Sequence, residues 1–437
     1  MVIFLKYYLV GIKGSGMSAL AILLKSLGHT VVGSDVGDYI FTEKLLCEKQ
    51  IPIYSFNEKE ININDIVIIG HNFINSNLKE VTNAKLYNEW YEYNDFLAKL
   101  SNNYISIAIS GTHGKTTTTH LIKNIFNEID QCGYLIGDGT AYLNKESKYF
   151  IFEACEYKNH FLKYYPSYII INNVDYDHID YFKTKEEYNQ AFINFIKNKK
   201  EQLIVNGDDD FLRTIDYAIK YGINDNNDIQ ATNIIENEKG ISFDLKYHKQ
   251  YLINIKLPFY GRHMIYNTLA SISIALINNI GIEQIVNGLL KFKGANRRFN
   301  EEIIEDNIYI DDYAHHPNEI KNTIYATKQK YPNKKLVAIF KGDRYSRIQY
   351  FSKDIARELE LAEEAYVLPF PPCSKKEEGI NISEEEIIKH SPKIKKLSTF
   401  KMIEISKYSN TVYLFMSSKN MKNEREQIIK NKFKIII

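Results

Sequence analysis

The chain has 437 residues, room for about three domains at roughly 150 residues each. It is 44% hydrophobic and 25% charged, a globular balance that argues against disorder and against a membrane-embedded chain. Lys+Arg 55 against Asp+Glu 54 gives +1, which removes the electrostatic case for nucleic-acid binding.

In chain order, Ile3–Val10 reads as a buried strand. Met17, Leu20, Ala21, Leu24 and Leu27 then share one face of a helix over Ser15–Leu27, which Gly28 ends. Thr30–Gly33 and Asp65–Gly70 read as further strands, so the first hundred residues predict a parallel, doubly wound sheet. A second unit opens at Tyr104, where Ile105, Ile107 and Ile109 alternate with small or polar residues. The helix that follows carries Leu121, Ile122, Ile125, Phe126 and Ile129 at helical spacing. A third unit is signalled by strands at Leu336–Phe340 and Thr411–Met416 and a helix around Ser346–Leu361. The expected domains are 1–103, 104–299 and 300–437. Apolar residues at the N-terminus lack a basic leader region, and no apolar run nears the ~20 residues needed to span a bilayer. Cys47, Cys132, Cys155 and Cys373 lie far apart, against a zinc or disulfide framework. A cytoplasmic protein is expected.

Gly111-Thr112-His113-Gly114-Lys115-Thr116-Thr117 is the sharpest local signal. A glycine loop between strand and helix turns backbone N–H groups toward an anion, at the positive end of the helix dipole. Lys115 can reach terminal phosphates and the Thr116 hydroxyl can ligate Mg²⁺. The loop is not a full P-loop, because Ile109 stands where glycine is required. Gly14-Ser15-Gly16-x-x-Ala19 at the first strand–helix turn, with Asp35 ending the next strand, fits a dinucleotide fingerprint. Residues alone leave three readings open there: NAD, another nucleotide, or a tight turn.

Glu153 and Glu156 follow the strand-like Tyr149–Phe152, and Asp175, Asp177 and His178 follow Tyr168–Ile171. Carboxylates and imidazoles at the carboxyl ends of parallel strands face the crevice where such sheets bind ligands. After a strand at Asn307–Ile310 come Asp311-Asp312 and the adjacent His315-His316; sequence neighbours project apart, which argues against a metal there. Arg297-Arg298 sits at the expected junction, suited to clamping phosphate or carboxylate.

Taken together, GIKGSGMSALA with GSD, LIGDGT, GTHGKTT, FEACEYKNHFL, NNVDYDHIDYF, YGRHMIYNTLA, GANRRFNEEI and DDYAHHPNEI resemble the Mur ligase family, in that family's order from about Leu9 to Lys330. The resemblance implies an α/β protein of three domains. These are a Rossmann-like UDP-binding domain, a P-loop-like ATP-binding domain and a Rossmann-like domain that helps bind an amino acid. It implies ATP and Mg²⁺, with UDP-N-acetylmuramate and L-alanine as substrates of an ATP-dependent amide-forming reaction, and neither nucleic acid nor membrane as partner. A paralogous ligase for another amino acid or a peptide is one alternative, and a non-catalytic nucleotide-binding relative is another. By the same resemblance, Gly14, Ser15, Gly16 and Asp35 hold the UDP part, which displaces the NAD reading. Gly111 to Thr117 hold ATP phosphates, with Lys115 on the γ-phosphate. Thr116, Glu153 and His178 lie near magnesium. His263 and Asn267 lie on the adenine side, and Arg298 and Asp312 meet the nucleotide. The third domain departs from the family's pattern. Lys341-Gly342-Asp343-Arg344 replaces a Gln-Pro-His-Thr string, with Tyr345-Ser346-Arg347 retained, and Ser417-Ser418-Lys419-Asn420 replaces a Gly-Ala-Gly-Asp-like string. Arg347, Asp343 and His316 are the expected amino-acid residues.

Overall fold

The computed structural model describes residues 5–372, 377 and 379–434, so Cys373 lies outside the described residues. They fall into two compact units: Met1–Asp175 with Asn189–Ile229 and Asn267–Phe292, and Tyr176–Tyr188 with Gln230–Tyr266 and Lys293–Ile437. Among the described residues no helix is long and apolar enough to cross a membrane.

The first unit carries two parallel sheets. One has the order Ile53–Ser55, Thr30–Asp35, Lys6–Val10, Ile66–Ile69, Trp90–Glu92. The order reverses at Lys6–Val10, so the loops after that strand and after Ile66–Ile69 flank the crevice where open α/β sheets take ligands. In the other sheet, Ile219–Gly222, Gln202–Asn206, Tyr168–Ile171, Ile105–Ser110, Tyr149–Glu153 and Gly133–Leu135 lie side by side and parallel, with Ala141–Tyr142 antiparallel at the end. Its order reverses at Ile105–Ser110, the strand that feeds the Gly111–Lys115 loop. The middles of these strands are buried because helices cover both faces; Ile107, Ala108 and Ile109 are all buried.

The second unit has a six-stranded sheet in the order Asn300–Ile304, Asn307–Asp312, Thr411–Met416, Lys335–Phe340, Glu364–Val367, Ile394–Lys396; only the first pair is antiparallel. Alternate residues feed two cores. Ile308, Ile310, Leu414 and Phe340 pack with the helices Pro317–Lys330 and Tyr345–Leu359 on one face. Tyr309, Tyr413, Phe415 and Ile339 join Met402, Ile405 and Ile428 on the other. The unit also holds Gly240–Tyr247 and Gln250–Leu257, paired antiparallel.

Several sequence boundaries shift. The first strand is Lys6–Val10 within the described residues, the first helix is Ser15–Ser26, and the strand expected at Thr30–Gly33 runs on to Asp35. The helix after the phosphate loop stops at Phe126, which leaves Ile129 46% exposed and off the core face.

Candidate active site

In the first unit, the turn after Lys6–Val10 is closed by backbone. Gly11 adopts φ 80°, a left-handed conformation that favours glycine, and its N–H bonds Ser34 O at 2.8 Å. Gly14 is the N-cap of the Ser15–Ser26 helix, so free N–H groups of its first turn face the crevice. A Cβ on Gly16 would lie 2.7 Å from the Tyr93 hydroxyl, which explains the glycine there. Asp35 is 4% exposed and takes the Lys13 N–H at 2.6 Å on Oδ2 and the Val36 N–H at 2.7 Å on Oδ1. It ties the loop to the second strand.

The Gly111–Lys115 loop uses two left-handed glycines, Gly111 at φ 123° and Gly114 at φ 80°; Gly114 caps the helix Lys115–Phe126. The loop is buttressed by asparagines. The His113 N–H donates to Asn173 Oδ1 at 2.8 Å, Asn172 Nδ2 donates to the His113 carbonyl at 3.2 Å, and the Thr118 hydroxyl meets Asn267 Oδ1 at 3.3 Å. A Cβ on Gly114 would come within 2.5 Å of Asn267 Oδ1. Asn267 is buried beneath the loop, a contact that spacing did not reveal. His113 Nε2 lies 3.0 Å from Asp175 Oδ2.

Lys115 folds its ammonium back over the loop, onto the carbonyls of Gly111 and Thr112, and pairs with Glu156 at 2.9 Å. Burial opposes its charge, but Glu156 outweighs that and raises the lysine above its ordinary range. Glu156 is 1% exposed. The sequence placed it three residues past Glu153 without a role; its place at the carboxyl end of the next strand was the signal for one. Glu153 accepts the Gly137 N–H at 2.6 Å and a bond from the Thr116 side chain, yet burial pushes its carboxyl up. A desolvated carboxylate beside a hydroxyl is a set of hard oxygen donors, which fits Mg²⁺. Asp138, next in the same turn, meets His120 Nε2 at 2.8 Å and accepts from the Thr140 hydroxyl at 2.7 Å.

The second unit gathers His263, Arg298, Glu319 and Asp312. Arg298 Nη1 donates to Glu319 Oε1 at 3.2 Å, and its guanidinium lies 5.0 Å over the Tyr313 ring. Burial, with help from the Arg298 charge, pushes His263 down to about 4, so the ring is neutral at pH 7. Asp312 takes the N–H groups of Phe299 and Ala314 at 2.8 and 2.7 Å, and burial raises its carboxyl. Arg297 is structural: it donates to the carbonyls of Ser417, Ser418 and Lys419 and meets Asp311 at 3.2 Å. His316 is buried at the N-cap of Pro317–Lys330, in a capping box with Glu319, its ring edge-on to Phe351.

Arg347 is engaged. Its Nε and Nη2 donate to the two oxygens of Asp177 at 3.1 and 3.0 Å, and Nη1 meets Asp343 at 3.3 Å. Burial works against both carboxylates, but Arg347 holds Asp177 well below the usual range and lowers Asp343 too. The Ser418 hydroxyl donates to Asp343. His178, next to Asp177, has φ 54° and its carbonyl accepts the N–H groups of Tyr181 and Phe182 at 2.8 and 2.9 Å.

Two doubly wound units, one with a glycine loop presenting a lysine at a helix N-terminus, define a nucleotide-binding α/β protein. Family models match three successive stretches: "Mur ligase family, catalytic domain" over residues 6–105, "Mur ligase middle domain" over 109–275 and "Mur ligase, glutamate ligase domain" over 297–413. The UDP-N-acetylmuramate–L-alanine ligases of Lactiplantibacillus plantarum and Lacticaseibacillus paracasei are 37% and 38% identical over 416 residues, 94% of this chain and 95% of each relative. Among solved structures, the UDP-N-acetylmuramate–alanine ligase of Thermotoga maritima superposes with a TM-score of 0.80 at 22% identity, covering 98% of this chain and 99% of that one. A murein peptide ligase from Psychrobacter arcticus gives 0.69 at 22% identity, covering 98% of both chains. The chain belongs to the Mur ligase family.

Proposed function

We propose that this chain is an ATP-dependent ligase that joins L-alanine to the lactyl carboxylate of UDP-N-acetylmuramate, in the cytoplasm, for peptidoglycan precursor synthesis. The observation that carries the reading is the Gly111–Lys115 loop, with Lys115 opening a helix beside the half-buried carboxylate of Glu153 and the buried one of Glu156. Identity of 37–38% to two such ligases over nearly the whole chain supports the substrate assignment.

Roles divide by segment: UDP-sugar binding in 1–103, ATP in 104–299 and the amino acid in 300–437. The helix N-terminus after Gly14, Ser15 and Gly16 takes the UDP diphosphate, and Asp35 fixes that turn. The substrate carboxylate attacks the γ-phosphate, giving an acyl phosphate and ADP; the amine then attacks the acyl carbon and phosphate leaves. Phosphoryl transfer asks for positioning and charge neutralisation more than covalent help, and Lys115 supplies both from its loop. Thr116, Glu153 and His178 carry the assignment to magnesium, which when bound neutralises phosphate charge. Gly111, Thr112, His113, Gly114 and Thr117 shape the phosphate cradle. Neutral His263 and Asn267 are assigned to the adenine side. Arg298 and Asp312 are assigned to the nucleotide, and Arg347, Asp343 and His316 to the amino-acid end.

A second reading is a related ligase for another amino acid or a peptide. One observation favours it: Asp343, in the divergent turn, shares Arg347 with Asp177, so the guanidinium meets two carboxylates of the chain itself. ADP release with UDP-N-acetylmuramate, assayed against each amino acid and against short peptides, separates the two. Release dependent on L-alanine supports the first reading. Release with other acceptors only replaces it.

A further inference from the structure

Three side chains of the first unit converge at the carboxyl ends of the strands Ile66–Ile69 and Trp90–Glu92. His71 opens the turn after Ile66–Ile69, Glu92 ends the neighbouring strand in register with Ile69, and His160 lies in the helical turn Tyr157–Lys163. One ligand atom from each lies within 4.8 Å of the others. We propose that His71, Glu92 and His160 form a three-ligand site for a divalent transition-metal ion, zinc by ligand type. Two imidazoles and one carboxylate, with a position left open, is a set zinc accepts and magnesium does not favour.

An ordinary ion pair accounts for part of the cluster: His71 Nδ1 meets Glu92 Oε1 at 2.7 Å. It does not account for His160. That ring stands 4.5 Å from the His71 ring, and among the described residues its Nε2 is buried with no hydrogen-bond partner. The backbone leading into it is strained: Lys158 and Asn159 take φ 53° and 61° in succession, a left-handed pair without glycine.

Two lysines fit the same picture. Lys163 donates to Glu92 Oε2 at 2.9 Å, orienting the carboxylate as an outer partner does and leaving Oε1 toward the imidazoles. The Lys158 ammonium lies 3.2 Å from His71 Nε2, where it competes with a cation for that ring. Around an ion with bonds of about 2.0–2.2 Å the ligand atoms stand about 3.4 Å apart, so binding opens the 2.7 Å contact between His71 and Glu92 and draws His160 in.

The test is independent of the ligase activity. The full chain is stripped with chelator and, without nucleotide, titrated with Co²⁺ by visible absorption and then with Zn²⁺ by displacement. One equivalent of Co²⁺ with ligand-field bands, displaced by Zn²⁺, is expected. His160→Gln and His71→Gln should weaken it about 10-fold or more, and Lys158→Met should tighten it. Absence of the bands in the unaltered chain, or equal binding by His160→Gln, overturns the site. Circular dichroism checks folding; if the histidine variants do not fold, Lys158→Met decides, and unchanged affinity there overturns the site as well.

Discussion

Asp138→Asn tests how the structure holds Glu153 in place. Asp138 is 6% exposed, and burial alone would raise its carboxyl; His120 and Thr140 instead bring it down to about 2, from an ordinary value of 3.8. A depression of nearly two units is worth about 2 kcal/mol of folding stability at neutral pH. A carboxyl lowered in the folded state stabilises fully above its unfolded value and loses that stabilisation as pH falls toward 2. The variant lacks this contribution at every pH. Urea unfolding of the two proteins should therefore differ by about 2 kcal/mol at pH 7 and pH 5, and converge as pH falls from 4 toward 2. A functional consequence accompanies it. Asp138 fixes the turn whose Gly137 N–H donates to Glu153 at 2.6 Å. A hydrogen bond to a charged group contributes about 1.5–3 kcal/mol, so losing its geometry should raise the Mg²⁺ needed for half-maximal ADP release by about 10-fold. A stability gap that stays constant down to pH 2.5, or an unchanged Mg²⁺ requirement, refutes the reasoning.

Lys115→Met should abolish ATP turnover while calorimetric binding of UDP-N-acetylmuramate persists. It should also cost about 3 kcal/mol, because Glu156 is left buried without its cation, and adding Glu156→Gln should restore folding but not turnover. Gly114→Ala meets φ 80° and the Asn267 side chain together, so stability should fall by about 1–2 kcal/mol and the KM for ATP should rise. Arg347→Lys keeps the charge but loses the two-pronged bond to Asp177; urea unfolding should show a loss of about 2 kcal/mol. A raised amino-acid KM with unchanged stability would instead assign that guanidinium to substrate.

Parallel strands were legible where burial on both faces leaves a short apolar run; Tyr168–Ile171 and Thr411–Met416 match their reading residue for residue. Gly240–Tyr247 and Gln250–Leu257 went unread. Their less buried positions include Ser242, Asp244, Lys246, Asn254 and Lys256, among residues that this chain scatters widely, and Tyr251 is 59% exposed. In the site, what is local was legible: the glycine loop announces itself through backbone conformation and the helix that follows. What is paired across the chain was not. Asp177 and Arg347 stand 170 positions apart, and no spacing rule connects them. Asn267, read from resemblance as an adenine-side residue, lies against Thr118 and under Gly114, a contact that spacing did not reveal.

The amino-acid end follows from counting charges in the second unit. An incoming amino acid brings a carboxylate and an amine, and each needs a partner of opposite charge or several hydrogen bonds once buried. Arg298 is matched by Glu319 and Arg344 by Asp180. Arg347 faces both Asp177 and Asp343, which leaves that buried group with one more negative charge than positive. A surplus of negative charge suits an ammonium and repels a carboxylate at the short distances and lowered dielectric of a buried site. Arg347 lowers both carboxyls and the Ser418 hydroxyl donates to Asp343, so Asp343 is the residue proposed to hold the amine end. The family's histidine at that turn could not do this, since a neutral imidazole carries no charge to oppose an ammonium. Asp343→His should therefore shift amino-acid preference without altering the KM for ATP, and wild-type kinetics with every amino acid would refute the assignment.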